Sequence, residues 1–197
     1  GEGGVAQYNV SLASGLAALG YSVTVAQSKR ESATVTMPPT VGQRWIPFDT
    51  RLEPARNLTD VKVAADLLDA LNPTLVIFTN CAPLSQVAAT LAAANRGVPF
   101  IIVEGFVAPY SILTAHQAWM LHFQRLLYEK ARAVVAVSGD NLAILRSHFG
   151  LHKRKGEVVH YGRPASFFAA RDPMVRATVR KELGIPLDAT VCLTAAR

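Results

Sequence analysis

The sequence predicts an α/β protein built as a doubly wound parallel sheet, and three observations carry that reading. From about Asn57 onward, short apolar runs alternate with longer amphipathic ones: helix 60–71, strand 74–78, helix 84–95, strand 100–103, a long amphipathic stretch 112–130, strand 133–137, helix 141–149 and strand 157–160. The short runs are continuously apolar and rich in β-branched residues, as strands covered on both faces must be. Breakers separate them: Asn72-Pro73, Gly97-Val98-Pro99 and Gly150 all fall between a helix and the strand after it.

Each remaining element follows from local pattern. Val5, Val10, Leu12, Leu16, Ala17 and Leu19 keep a helical rhythm, and Gly20 stands where a terminating glycine belongs. The β-branched stretch 22–26 reads as a buried strand, closed by the polar cluster that contains Lys29 and Arg30. Residues 34–50, with Pro38-Pro39, Gly42 and Pro47, read as irregular chain holding one short strand at 44–47. Towards the end, 171–183 reads as a helix, Gly184-Ile185-Pro186 breaks it, and 190–195 is a strand. One strand cannot form a domain, and in open α/β folds a glycine-rich loop follows a first strand, which here would precede Gly1. The expectation is a first domain over 1–165 lacking its opening strand, then a connector and the first strand of a second domain over 166–197.

Composition narrows the class further. With 197 residues, 50% hydrophobic and 17% charged, the chain is a folded globule, which excludes disorder, collagen and coiled coil. No apolar run reaches the length of a membrane span and no basic-then-apolar leader opens the sequence, so a cytoplasmic protein is expected. Cys81 and Cys192 form no C-x-x-C, and the five histidines include no H-E-x-x-H, so neither a disulfide framework nor a metal is expected. The net charge of +6 is concentrated: from Arg146 to Lys181 nine Lys or Arg stand against only Glu157 and Asp172, and Lys153-Arg154-Lys155 lies inside that stretch. That stretch reads either as a solvated face or as a contact for anionic lipid or phosphate at a membrane surface.

Three motifs bear on chemistry. Gly1-Glu2-Gly3-Gly4-Val5-Ala6 fits G-x-G-x-x-A at the start of a helix, where free N–H groups and the helix dipole favour an anion or a hydroxyl-rich ligand. A dinucleotide reading needs an acidic residue about twenty positions on; Gln27-Ser28-Lys29-Arg30 supplies none, which leaves only an NADP reading through Lys29 or Arg30. Val137-Ser138-Gly139 falls short of a nucleophile elbow, and Ser138 reads as a helix N-cap. Trp119, Met120, Phe123, Leu126 and Leu127 keep near-helical spacing, either facing the core or walling an apolar acceptor.

Taken in order, several segments resemble glycosyltransferase family 4. Gly3-Gly4 with Leu16-Ala17-Ala18-Leu19-Gly20-Tyr21 and Ser22-Val23-Thr24-Val25 resembles its opening "GG…LA..L..G(H/Y).V.V". Gly97-Val98-Pro99 with the strand after it, Ala133–Ala136 with Val137-Ser138, and Glu157-Val158-Val159-His160-Tyr161-Gly162 with Phe167 resemble three later segments. Arg180-Lys181-Glu182-Leu183-Gly184-Ile185-Pro186, then Val191 to Arg197, is similar to the start of that family's second domain.

The resemblance implies a GT-B architecture, two Rossmann-like lobes across a cleft, with this chain the N-terminal, acceptor-side half and a fragment of the other. It implies Gly3, Gly4, Glu104, Gly105 and Ser138 as substrate-binding residues at the cleft. Catalytic residues stay unknown, because the donor-holding E-x7-E segment and its preceding basic residue belong to the second lobe. A nucleotide sugar is the implied donor substrate, no cofactor is implied, and the acceptor is a carbohydrate or a lipid-linked sugar; nucleic acid is not an expected partner. Two positions depart from the family. Glu104 stands where several members carry His, so it either orients acceptor hydroxyls or is an exposed loop carboxylate, and Tyr161-Gly162-Arg163-Pro164 replaces the usual Asn-Gly segment.

Overall fold

The computed structural model describes residues 4–28, 36–46, 60–108, 120–163, 168–170 and 172–193. The chain divides into two units, Gly1–Gly162 and Arg163–Arg197.

In the first unit, helix α1 (Gly4–Ala18) ends at Gly20, whose φ of +90° allows the Tyr21 amide to reach back to the Leu16 carbonyl at 3.1 Å. Only glycine adopts that backbone without strain. Strand β1 (Thr24–Ser28) then pairs in parallel with β2 (Gly42–Ile46), Thr24 opposite Gly42. A four-stranded parallel sheet follows in the order β3 (Val76–Asn80), β4 (Phe100–Glu104), β5 (Ala133–Ala136) and β6 (Glu157–Val158). Helices α2 (Val61–Leu71), α3 (Val87–Asn95), α4 (Leu121–Lys130) and α5 (Gly139–His148) connect the strands. Each strand pairs with its successor, so right-handed crossovers put α3, α4 and α5 on one face.

The α/β class is as the sequence predicts, with boundaries moved for physical reasons. Strand 74–78 becomes Val76–Asn80 because the ladder opens where the Val76 amide bonds the Pro99 carbonyl at 3.0 Å; Pro99 has no N–H to extend it. Helix 84–95 starts only at Val87, since Leu84 sits at φ +74° and cannot be helical. The expected strand 157–160 shortens to Glu157–Val158, and the Val159 amide still reaches the Ala136 carbonyl.

The core lies between the sheet and its helices: Phe78, Phe100, Ile102, Leu127, Tyr128, Val134, Leu145 and Phe149 are all buried. Alanines Ala64, Ala65 and Ala92 let α2 and α3 approach closely.

Within the second unit, α6 (Pro173–Glu182) is capped by Asp172, which accepts from the Met174 amide at 2.8 Å. Thr190 to Leu193 form no strand, contrary to the sequence reading, and the rest of that expected strand lies outside the described residues. An isolated strand has nothing to satisfy its backbone groups.

Candidate functional site

The four parallel strands bring their carboxyl ends to one edge, where open α/β sheets receive ligands. β3 ends in Asn80 and β4 in Glu104; Gly105 follows, Ser138 follows β5, and Tyr161 follows β6. Gly105 is the meeting point. Its amide bonds the Asn80 carbonyl at 2.9 Å. A Cβ placed on it would stand 2.6 Å from the Tyr161 hydroxyl, 3.0 Å from the Asn80 carbonyl and 3.4 Å from a methyl of Val5 in α1. A side chain at 105 would therefore collide with two strand ends' worth of structure, which is a reason for glycine that the sequence alone did not give.

Glu104 is not an exposed loop carboxylate. It is the last residue of β4 and fully buried. Three donors reach one of its oxygens, Oε1: Tyr128 Oη at 2.8 Å, Asn80 Nδ2 at 3.1 Å and, more weakly, Gln124 Nε2 at 3.4 Å. Its Oε2 and the Asn80 Oδ1 have no partner among the described residues. Burial dominates the electrostatics and pushes the carboxyl up to about 7, against the pull of the Tyr128 and Asn80 hydrogen bonds. Burial and the adjacent carboxylate push the Tyr128 phenol upward as well. Glu104 thus ties β3, β4 and α4 together near neutrality.

Gly3 lies outside the described residues, as do Lys29 and Arg30 of the NADP reading. Gly4 opens α1, and a Cβ there would meet nothing within 4 Å, so packing does not demand glycine. Ser138 is the N-cap of α5, its hydroxyl accepting from the Asn141 amide at 3.1 Å. Of the apolar stripe, Met120 and Leu127 are core, Leu126 is exposed, and Trp119 lies outside the described residues.

Four cations of the basic stretch are engaged with backbone. Lys155 Nζ donates to the carbonyls of Tyr128 at 2.9 Å, Ala131 at 3.0 Å and Glu129, closing the C-terminus of α4 where a cation is favoured. Arg146 donates to the Lys155 carbonyl at 3.1 Å, and Arg176 and Arg180 to carbonyls at 187, 186 and 189.

Asn80, Gln124, Tyr128, Tyr8 and Tyr161 were not legible as site residues. One signal existed: Gln124 and Tyr128 are four apart on the apolar face of α4, where a buried amide calls for a polar partner. Among the described residues no three His, Cys, Asp or Glu side chains gather as metal ligands, and no helix is long and apolar enough to cross a membrane.

A Rossmann-like α/β domain with a glycine-and-carboxylate corner on its carboxyl edge is the class that fold and site define. The model of glycosyltransferase family 4 matches residues 2–167. The chain belongs to that family and forms the N-terminal domain of its GT-B architecture. Among solved structures it is similar to a glycosyltransferase from Rickettsia africae ESF-5, with a TM-score of 0.69 and 17% identity over 95% of this chain and 48% of that one. The chain thus spans about half the length of that protein. Two slighter likenesses are to the UDP co-structure of MnaA from S. aureus and to UDP-N-acetylglucosamine 2-epimerase from Rickettsia bellii. Their TM-scores are 0.44 and 0.47 and their identities 13% and 11%, over 70% and 82% of this chain and 43% of each of theirs. No curated protein sequence matches.

Proposed function

We propose that this chain is the acceptor-binding half of an enzyme that moves a hexose from a nucleotide sugar to a carbohydrate or lipid-linked acceptor in the cytoplasm. The observation that carries the reading is the corner at Gly105, where Val5, Asn80 and Tyr161 converge beside Glu104 in a family 4 chain. In such a transfer the bond from the sugar's anomeric carbon to the diphosphate breaks and one to an acceptor hydroxyl forms. The protein's task at this edge is to hold that hydroxyl in line. Glu104 serves it by fixing the corner, Gly105 by letting the backbone close up, and Gly4 by opening α1 towards the ligand, with Gly3 and Ser138 as the remaining proposed substrate contacts. The nucleotide sugar is a substrate, and no resident cofactor is called for.

The test compares the 197-residue chain with the longer protein that carries a second lobe. Each is incubated with UDP-, GDP- and ADP-linked glucose and a mixed glycan acceptor pool, and nucleotide release is measured. The longer protein is expected to turn over and the 197-residue chain to stay at background. Comparable rates from both would overturn the division of labour, and micromolar NADPH binding would replace the reading with a reductase. Peripheral contact with an anionic membrane rests on Lys153 and Arg154, and salt-sensitive sedimentation with phosphatidylserine vesicles tests it.

A further inference from the structure

The corner at Gly105 also carries an aromatic surface. The rings of Tyr8, in α1, and Tyr161 lie 4.7 Å apart and tilted by 34°. They differ from the core pair Phe78 and Phe100, which meet edge-on at 5.8 Å and are buried. Tyr8 is half-buried and Tyr161 is 37% exposed, yet the Tyr161 hydroxyl is tucked against the Gly105 backbone. The hydroxyl end of the ring therefore lies close to Gly105 while the residue remains partly open to solvent. Phe106, the next residue after Gly105, is exposed too.

We propose that Tyr8 and Tyr161 form a stacking ledge for the apolar face of an uncharged pyranose, and so select the acceptor. This rests on the sugar-transfer reading for assigning the pyranose to the acceptor. The chemistry favours that ligand over the donor's diphosphate, because an aromatic face is electron-rich, attracts C–H groups and repels anions. A ring packed against a neighbouring ring has less conformational freedom to lose on binding, which suits a weakly interacting neutral ligand. Gly105 is what makes the ledge possible, since any side chain there displaces the Tyr161 hydroxyl.

Saturation-transfer NMR tests this with methyl β-D-glucopyranoside, methyl α-D-mannopyranoside and methyl N-acetyl-β-D-glucosaminide added singly, and with UDP as a separate arm. At least one glycoside is expected to bind saturably, with transfer concentrated on the C–H groups of one ring face. Tyr161→Ala should weaken its Kd roughly fivefold, the range an aromatic contact gives, while Tyr161→Phe keeps it. Tyr161→Leu preserves volume and stands in if the alanine variant fails to fold; it too should lose the glycoside. UDP, whose holding segment belongs to the second lobe, should give no signal that depends on Tyr161, and a UDP signal lost in Tyr161→Ala would overturn the assignment to the acceptor. The proposal falls if no glycoside binds the wild type, or if folded Tyr161→Ala and Tyr161→Leu bind as the wild type does. Tyr161-dependent glycoside binding in a protein that transfers no sugar would keep the ledge and remove the transfer reading. Sugar transfer with acceptor KM indifferent to Tyr161 would do the reverse.

Discussion

At the amino edge of the sheet, Asp69 at the end of α2 meets Arg96 beyond α3 in a two-point pair of 2.6 and 2.8 Å, open to water. At the carboxyl edge, Glu104 meets Tyr128, Asn80 and Gln124 with no exposure at all. The Asp69 carboxyl is held below its ordinary value by its hydrogen bond to Arg96, and the Glu104 carboxyl is lifted to about 7 by burial. The same chemical group is an interchangeable surface charge at one edge and a structural commitment at the other. Ion pairs in water contribute little, whereas buried polar groups punish the loss of any partner.

The sharpest way to break the contrast is Glu104→Ala. It leaves a cavity and strands the Tyr128 hydroxyl and the Asn80 amide, so urea melts should show a loss of about 3–4 kcal/mol. A loss below about 1 kcal/mol would mean the network is not holding the edge. A pH series refines the point. The folded chain holds the Glu104 proton more tightly than the unfolded one, whose carboxyl titrates near 4.5. Its stabilisation is therefore complete below about pH 4.5, declines as pH rises to about 7 and is level above that, a total on the order of 3 kcal/mol. Glu104→Gln should flatten this slope; an unchanged slope would place the titration elsewhere.

Gly105→Ala comes next, at about 1–3 kcal/mol, because the Asn80 carbonyl 3.0 Å away is backbone and cannot swing aside. Gly4→Ala, facing open space, should leave the melt within about 0.5 kcal/mol. At the amino edge Lys155→Met, which uncaps α4, should cost about 1 kcal/mol. Asp69→Asn should move Tm by no more than the error of the measurement, and a larger shift would erase the contrast between the edges.

Much of the fold was legible because β3, β4 and β5 are built on unbroken apolar runs, and a sheet covered on both faces leaves few other homes for Val-Ile-Phe or Phe-Ile-Ile-Val. The site was less so. Glu104 after such a run looks like the start of a loop, and only its partners at 80, 124 and 128 explain its burial. Those partners arrive from two other elements, and no local spacing encodes them. The basic run misled in the opposite sense: Lys155 reads as surface charge, but its ammonium closes a helix end contributed from the other side of β5.

The sequential strand order has a kinetic consequence. Every strand of the larger sheet pairs with the one made next along the chain, so no pairing must wait for a distant segment. Such wiring keeps loop-closure entropy modest and lets the sheet zip from β3 towards β6. The Glu104 network needs only β3, β4 and α4, so in that order the carboxyl is buried midway, once α4 docks and before β5 and β6 complete the sheet.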